Sequence, residues 1–95
     1  MSLQFEWDKK KAAGNLKKHK VSFNEACTVF SDRLALIFDD EVHSRPGELR
    51  EIIIGNSAEG RLLLVSYTEC SQDVVRIISS RAVTKHERRD YEEKS

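Results

Sequence analysis

The sequence predicts an α+β domain made of two N-terminal helices, an antiparallel meander of about four strands and a C-terminal helix. Three observations support this prediction. The chain has 95 residues, the size of one small domain. Its apolar residues follow a helical period up to about residue 30 and then a strand period. Thr84 and Glu87 have the spacing of a capping box, which opens a last helix. We therefore expect a single domain over residues 1–95, with the helices covering one face of the sheet.

Local signals identify the first two helices. Asp8 is a suitable N-cap for a helix over residues 9–19, in which two alanines and a leucine share one face. Ser22 and Glu25 have capping-box spacing, so a second helix begins there. Residues 5–7, which come before both helices, are either a short opening strand or an apolar plug.

The strand period begins at residue 34. Apolar residues at positions 34, 36 and 38 alternate, as in a half-buried strand. The apolar runs 52–54 and 62–65 are predicted strands joined by a hairpin loop over residues 55–60, which has glycine at both ends. The chain then turns at residues 70–73 into a last strand over residues 74–80. Residues 39–48 form the longest irregular segment, and such a loop is either functional or a simple connector.

Composition limits the classes of function. The chain carries 16 basic and 16 acidic residues, so it is not a general polyanion binder, which needs many phosphate contacts. Residues 1–20 have a net charge of +4, which indicates either a basic cluster that holds a few phosphates or a solvated helix face. Cys27 and Cys70 lack metal-site and disulfide-framework spacing, which favours free thiols in a reducing cytoplasm. The longest aliphatic run, residues 62–65, is too short to cross a membrane. No metal-ligand spacing or glycine-rich phosphate loop is present, and no cofactor is expected.

Two arginines in the last predicted strand are the first candidates for chemistry. Arginine is seldom buried unless paired, so Arg76 and Arg81 either pair with carboxylates at the sheet edge or face a phosphate. The planar guanidinium suits two-pronged phosphate recognition. Positions 76 and 81 lie on opposite faces of a regular strand. Either one of the two arginines is structural, or a bulge near residues 79–80 brings both side chains to one face.

Further candidates are polar or aromatic side chains near the ends of these elements. Tyr67 is either a ring on which a base stacks or a half-buried core residue. Glu87 is explained by its capping box, and the basic end of the first helix is explained by the helix dipole. The remaining candidates are Arg61 on the face of Tyr67, Lys18 and His19 at the end of the first helix, Arg88 on the first turn of the last helix, and His43 in the irregular segment.

Short motifs follow one another in order along nearly the whole chain. No single motif is specific, but the ordered set is. The set comprises Phe5-x-Trp7-Asp8, Asn15-x-x-Lys18-His19, Val21-Ser22-Phe23-x-Glu25-Ala26, Val29-Phe30, His43-Ser44, Ile54-Gly55, Gly60-Arg61, Tyr67-Thr68, Arg76-Ile77-Ile78-Ser79-x-Arg81, Glu87-Arg88 and Tyr91. This set resembles the BrnT family, toxins of bacterial type II toxin–antitoxin systems. The sequence departs from the family pattern at Lys20, where the pattern favours glycine, and at Cys70, where it favours arginine.

The resemblance implies a compact fold related to the RelE ribonucleases and metal-independent endonucleolytic cleavage of RNA, which inhibits translation and growth. It also implies neutralisation by a BrnA-like antitoxin with a DNA-binding domain. The complex would repress its own operon, so that operator DNA is contacted only through the antitoxin complex.

The resemblance also implies roles for the candidate residues. Without a metal, RNA is cut by its own 2′-hydroxyl, and the protein must orient the groups, stabilise charge and move protons. The expected assignments are charge stabilisation by Arg76 and Arg81, proton transfer by Glu87 or His43, and RNA binding by Arg61, Lys18, His19, Tyr67 and Arg88.

Two other classes of function stay open. The first is a domain that has lost catalysis and serves as an antitoxin-binding module and co-repressor, and Cys70 motivates this alternative. The second is a structural domain without a partner.

Overall fold

A five-stranded mixed sheet forms the centre of the protein in a computed structural model that describes residues 3–94. Its strands are β1 (Gln4–Glu6), β2 (Leu36–Asp39), β3 (Arg50–Asn56), β4 (Leu62–Ser71) and β5 (Val74–Ala82), in the spatial order β1-β5-β4-β3-β2. The helices are α1 (Lys9–His19), α2 (Phe23–Thr28), which continues into a 3₁₀ turn at Val29–Ser31, and α3 (Lys85–Lys94). The predicted α+β class is confirmed. None of the helices within residues 3–94 has the length and hydropathy needed to cross a bilayer.

The sheet has one strand more than the predicted meander of about four. Strands β2 to β5 pair antiparallel with their neighbours in chain order, as expected. The additional strand is β1, which pairs parallel to β5 with Gln4 opposite Val74 and Glu6 opposite Arg76. The segment at residues 5–7 therefore begins as a strand. Trp7 follows it and packs edge-on against Phe23, with ring centroids 5.9 Å apart.

The predicted caps begin the two N-terminal helices. The Asp8 carboxylate accepts hydrogen bonds from the backbone N–H groups of Lys10 and Lys11 at 2.8 and 3.3 Å. The Ser22 hydroxyl accepts one from the Glu25 N–H at 3.0 Å. Each cap satisfies donors that have no partner inside the helix. Only half of the capping box formed by Ser22 and Glu25 is present, because the Glu25 carboxylate binds other residues, as described below.

Lys20 ends α1 in the left-handed conformation, with φ at 60°. A side chain is strained there, whereas glycine is not, which gives a backbone reason for the family's preference for glycine. We expect Lys20→Gly to raise the free energy of unfolding by about 0.5–1 kcal/mol, after the entropic cost of glycine is subtracted. Thermal unfolding of the purified variant measures this change.

Lys17→Gly is the matched control, because it makes the same substitution inside the last turn of α1. It should lower stability by roughly 0.5–1 kcal/mol, since glycine in a helix interior is unfavourable. A fall in the unfolding temperature of both variants would contradict the account of Lys20.

Helices cover both faces of the sheet, so the expectation that they cover one face is wrong. Helices α1 and α2 pack on one face, here called the α1–α2 face, over a core that includes Phe23, Leu63 and Ile77. Helix α3 packs on the opposite face, the α3 face, where Tyr91 contacts Ile54 and other apolar residues. Strands β3 and β4 are apolar on both faces over several residues, so each face requires a cover.

The pairing of β5 with β4 contains a bulge, which was one of the two alternatives for the spacing of the arginines. Tyr67 lies opposite Ile77 and Ser66 opposite Ser79, so Ile78 is an extra residue in β5. As a result, Arg76 lies opposite residue 68 and Arg81 opposite residue 64, positions that share one face of β4. Both arginines therefore lie on the α3 face, and the bulge is one residue before the predicted position.

The connection between β3 and β4 is shorter than the predicted loop at residues 55–60. Strand β3 continues through Gly55 and ends at Asn56. A Cβ atom on Gly55 would lie 2.8 Å from the Cβ atom of Ala35 and 2.9 Å from a carboxylate oxygen of Asp32. Gly55 is thus required by close packing inside a strand rather than by a turn.

Candidate functional site

A cleft of about 320 Å³ opens on the α3 face between β3, β4 and β5, the loop before β3 and the start of α3. Its apolar lining consists of one side chain from each of these three strands. The polar lining mixes cations, carboxylates and hydroxyls. The lining residues are Ile52, Leu64 and Ile78, together with Asp40, His43, Arg50, Ser66, Ser79, Arg81 and Glu87.

Arg81 and Glu87 form a two-pronged ion pair at this cleft. Both distances, from Arg81 Nη1 to Glu87 Oε1 and from Nη2 to Oε2, are 2.8 Å. The same carboxylate accepts the Thr84 N–H at 2.9 Å, while the Thr84 hydroxyl accepts the Glu87 N–H at 3.1 Å, so this capping box is complete. The hydrogen bonds from Arg81 lower the pKa of Glu87 to about 2. Glu87 is therefore a carboxylate at neutral pH that fixes the Arg81 guanidinium to the first turn of α3.

Part of the Arg81 guanidinium remains available. An arginine has five N–H donors. Nη1 donates to Glu87 and to the Ala82 carbonyl at 3.3 Å, and Nη2 donates one hydrogen bond to Glu87. The N–H of Nε and the second N–H of Nη2 make no hydrogen bond with residues 3–94 in the structure. This edge of the guanidinium has the geometry to hold two oxygens of a phosphate.

His43 enters the cleft from the loop between β2 and β3. Its Nδ1 lies 2.9 Å from Asp40 Oδ2, and the Asp40 side chain is only 12% exposed. The loop is held in place by Ser44, whose hydroxyl donates to the Asp40 carbonyl at 2.7 Å and accepts from the Arg50 N–H at 3.0 Å. A carboxylate that accepts Nδ1–H orients the imidazole and leaves Nε2 as a proton acceptor.

Sequence reasoning missed several residues of the cleft, of which Arg50 carries the clearest chemistry. Arg50 begins β3, donates from Nε to Glu48 Oε1 at 2.9 Å and has a side chain that is 22% exposed. The available signal was strand alternation, because Arg50, Ile52 and Ile54 must share one face. Asp40, Ser66 and Ser79 were also missed. The two serines lie opposite each other in the pairing of β4 with β5.

Arg76 shares the α3 face with Arg81 but does not line the cleft. It forms an exposed ion pair with Glu6 at 2.9 Å, which binds β5 to β1. Cys70 lies beside this pair, with its Sγ atom 3.8 Å from Glu6 Oε2. The departure from the family pattern at Cys70 is therefore at the β1 edge of the sheet and outside the cleft lining.

Two predicted RNA-binding residues are engaged in the structure of the domain itself. Arg61 forms an ion pair with Glu25, whose side chain is 4% exposed, and also donates to the Lys20 carbonyl at 3.1 Å. Tyr67 is 3% exposed, and its ring packs edge-on against Phe30 with centroids 5.0 Å apart. Burial is the main cause that raises the pKa of Tyr67 to about 12. Of the two alternatives for Tyr67, it is a core residue, because a buried ring cannot stack on a base. We assign Arg61 a structural role.

The other predicted RNA-binding residues are outside the cleft. Lys18 and His19 end α1, which packs on the opposite face of the sheet from the cleft. Arg88 is exposed on the first turn of α3. None of the three forms an ion pair with another residue in the range 3–94. Within that range, no three His, Cys, Asp or Glu side chains come together as a metal site.

The fold and the cleft define a small α+β protein with an arginine-lined site on a mixed sheet. A family model described as "Ribonuclease toxin, BrnT, of type II toxin-antitoxin system" matches residues 7–87. The chain therefore belongs to the BrnT family of ribonuclease toxins, which confirms the resemblance seen in the sequence. Membership of a type II toxin–antitoxin family implies an antitoxin partner.

One solved structure supports the fold. The 1.1 Å crystal structure of the Brucella abortus ribonuclease toxin BrnT matches with a TM-score of 0.68 and 20% sequence identity, covering 88% of this chain and 100% of that chain. At this identity the similarity supports the fold alone. A comparison with curated proteins found no match.

Proposed function

We propose that this protein is a toxin that cleaves RNA internally without a metal ion, inhibits translation and growth, and is neutralised by a BrnA-like antitoxin. The observation that carries the proposal is the cleft, which combines an arginine with a free phosphate-binding edge, Arg81, and a histidine oriented by a carboxylate, His43. Family membership supports the choice of RNA as the substrate.

The proposed reaction is attack by the 2′-hydroxyl of one nucleotide on the adjacent phosphorus, which forms a 2′,3′-cyclic phosphate and expels the 5′-oxygen of the next nucleotide as a hydroxyl that takes its proton from water. The phosphorus gains negative charge in the transition state, and preorganised donors stabilise such charge. Arg81, through Nε and Nη2, and Arg50 would hold the non-bridging oxygens. The cleft would also align the attacking and leaving oxygens, since orientation alone accounts for a large part of such rate enhancements.

Proton transfer is assigned to His43 rather than to Glu87. Imidazole is the side chain best suited to exchange a proton near neutral pH. The Nε2 atom of His43 would accept the proton of the 2′-hydroxyl, while Asp40 holds the ring through Nδ1. The pKa of Glu87 is lowered to about 2, and both of its oxygens accept hydrogen bonds from Arg81. Glu87 would therefore act by orienting Arg81.

Contacts to the flanking RNA are proposed for four of the candidate residues: Arg76, Arg88, Lys18 and His19. Arg76 and Arg88 lie on elements that border the α3 face, so they would contact phosphates next to the scissile one. Lys18 and His19, on the other side of the sheet, would contact only a longer RNA that wraps around the edge. Phosphate contacts of this kind position the substrate without reading its sequence.

The remaining proposals rest on family membership. We propose a fold relationship to the RelE ribonucleases, a site of action in the cytoplasm, and repression of the operon by the toxin–antitoxin complex. In that complex the antitoxin would contact the operator DNA.

The test is cleavage of an end-labelled RNA by the purified protein in excess EDTA. We expect internal cuts that leave a 2′,3′-cyclic phosphate, and no cut where the nucleotide before the scissile phosphate is a 2′-deoxynucleotide. His43→Gln should slow cleavage by about 10²-fold, the usual contribution of a general base. His86→Gln is the matched control, because His86 is an exposed histidine of α3 whose partner is Asp90. Cleavage that requires added metal, or that occurs at the deoxynucleotide, would exclude the proposed reaction.

The alternative is an antitoxin-binding co-repressor without catalysis. Its motivation is Cys70, which replaces the arginine of the family pattern. Because Cys70 lies beside Glu6 and outside the cleft lining, the structure favours the catalytic proposal. Operator binding by the complex, together with no growth arrest from the free protein, would favour the alternative.

A further inference from the structure

Along the half of its length that carries Arg81, strand β5 has a neighbouring strand on one side only. Strand β4 pairs with it on one side as far as Ala82, but β1 pairs with it on the other side only from Val74 to Arg76. Beyond the bulge at Ile78, the backbone groups that point away from β4 need other partners. Buried backbone N–H and C=O groups are nearly always paired.

The side chain of Asn15 supplies those partners. Its Nδ2 atom donates to the Ser80 carbonyl at 2.8 Å, and its Oδ1 atom accepts the Ser80 N–H at 3.0 Å. Nδ2 donates a second hydrogen bond to the Val21 carbonyl at 2.9 Å, at the entry to α2. Asn15 is 8% exposed and Ser80 is 1% exposed, so water does not substitute readily for either contact.

We propose that Asn15 is a positioning residue for Arg81: its carboxamide takes the place of a strand at Ser80 and holds β5 in the shifted register that directs Arg81 into the cleft. This inference rests on the proposed function, since it assigns Asn15 to the arginine that would bind the scissile phosphate. Asn15 itself lies on the opposite face of the sheet from the cleft and would not touch RNA.

The register of β5 decides on which face Arg81 lies. A shift of one residue in a strand moves every following side chain to the other face. The bulge at Ile78 makes that shift, so Arg81 reaches the α3 face only while the bulge persists. A bulge leaves one residue unpaired and disturbs the ladder locally. The two hydrogen bonds to Ser80, two residues after Ile78, fix the strand immediately before Arg81.

Only a carboxamide satisfies both backbone groups of Ser80. An aspartate at position 15 would still accept the N–H, but its carboxylate would lie against the carbonyl oxygens of Ser80 and Val21 without donating to them. The Ser80 hydroxyl is no substitute, because it is buried and has no hydrogen-bond partner within residues 3–94. The serine is therefore held through its backbone.

The test compares Asn15→Asp with Ser80→Ala, which keeps the backbone contacts and removes only the unpaired hydroxyl. Two quantities are measured on folded protein: the single-turnover rate of RNA cleavage and the pKa of Glu87 from the NMR signal of its carboxyl carbon. In Asn15→Asp we expect the rate to fall by at least about 10-fold, because small misplacements of a catalytic group are costly. We also expect the pKa of Glu87 to rise from about 2 towards its ordinary value of 4.5, because Arg81 moves away. Ser80→Ala should change neither quantity.

The Glu87 titration separates this inference from the proposed function. If the wild type does not cut RNA, the proposed reaction fails, yet a raised Glu87 pKa in Asn15→Asp would still support positioning of Arg81 by Asn15. An unchanged Glu87 pKa in a folded Asn15→Asp protein would overturn the inference, whatever the rate. If Asn15→Asp does not fold, Asn15→Ala removes the carboxamide without adding a charge, and its titration is judged by the same criterion.

Discussion

Arg81→Ala is expected to slow RNA cleavage by about 10²–10³-fold, because it removes a preorganised hydrogen-bond donor that stabilises the negative charge developing in the transition state. The variant should stay folded, because the Arg81 side chain is 37% exposed and its ion pair is only partly shielded from solvent. The measurement is the single-turnover cleavage rate in EDTA, with circular dichroism to confirm folding. The loss should appear in the rate at saturating protein, since the proposed contact strengthens in the transition state.

Two companion variants make this result specific. Arg81→Lys keeps the positive charge but loses the planar fork, so its rate should lie between those of the wild type and Arg81→Ala. Arg89→Ala removes an exposed arginine of α3, on the same helix as Glu87 but with no part in the cleft lining, and should leave the rate unchanged. Equal losses in Arg81→Ala and Arg89→Ala would show that general positive charge matters, and would remove Arg81 from the site.

Glu25→Gln is expected to lower the free energy of unfolding by about 2 kcal/mol, the typical cost of losing a hydrogen bond to a buried charged group. Glu25 is 6% exposed, accepts the Ser57 hydroxyl at 2.7 Å and is ion-paired with Arg61. It therefore connects α2 to the loop between β3 and β4. For a domain of this size the change corresponds to a fall of about 8–16 °C in the unfolding temperature.

The effect of Glu25→Gln should depend on pH. Arg61 is the main cause that lowers the pKa of Glu25 from 4.5 to about 2. The ionised group therefore stabilises the fold fully above its ordinary pKa, and this contribution is lost as the pH falls from about 4.5 to about 2. The difference in unfolding temperature between wild type and variant should be largest near neutral pH and shrink in acid. Glu93→Gln, an exposed residue of α3, should show no such trend, and a constant difference for Glu25→Gln would contradict the linkage.

Local signals predicted the start of each helix correctly, because a cap depends on residues three positions apart. Asp8 and Ser22 cap α1 and α2, and the Thr84–Glu87 box opens α3. A bulge in β5 was one of two alternatives that the sequence offered, since two arginines five positions apart share a face only if the register shifts. These parts of the fold follow from the sequence because each is decided over a few residues.

The features that the sequence did not predict depend on long-range competition. Glu25 has capping-box spacing, yet its buried carboxylate pairs with Arg61, which is 36 positions away in the sequence. Strand β1 has three residues, too few for a period to show, and it exists because β5 offers an open edge. Arg50 precedes the apolar run at residues 52–54 that predicted this strand, and it is held beside the loop containing His43 by a hydrogen bond from its N–H to the Ser44 hydroxyl. Tyr67 has the same alternation whether it faces the core or RNA.

The hydrogen bonds between the Asn15 side chain and the Ser80 backbone join residues 65 positions apart. Strand β1 likewise completes the sheet only by pairing with residues 74–76. Contacts this distant in sequence form late in folding, because the chain between them must first be closed into a loop. A nascent chain on the ribosome therefore cannot assemble the cleft before Arg81 and Glu87 have been polymerised. If the cleft carries the toxicity, the protein is harmless to the ribosome that makes it until synthesis has passed residue 87. The antitoxin therefore needs to be available only by that point in synthesis.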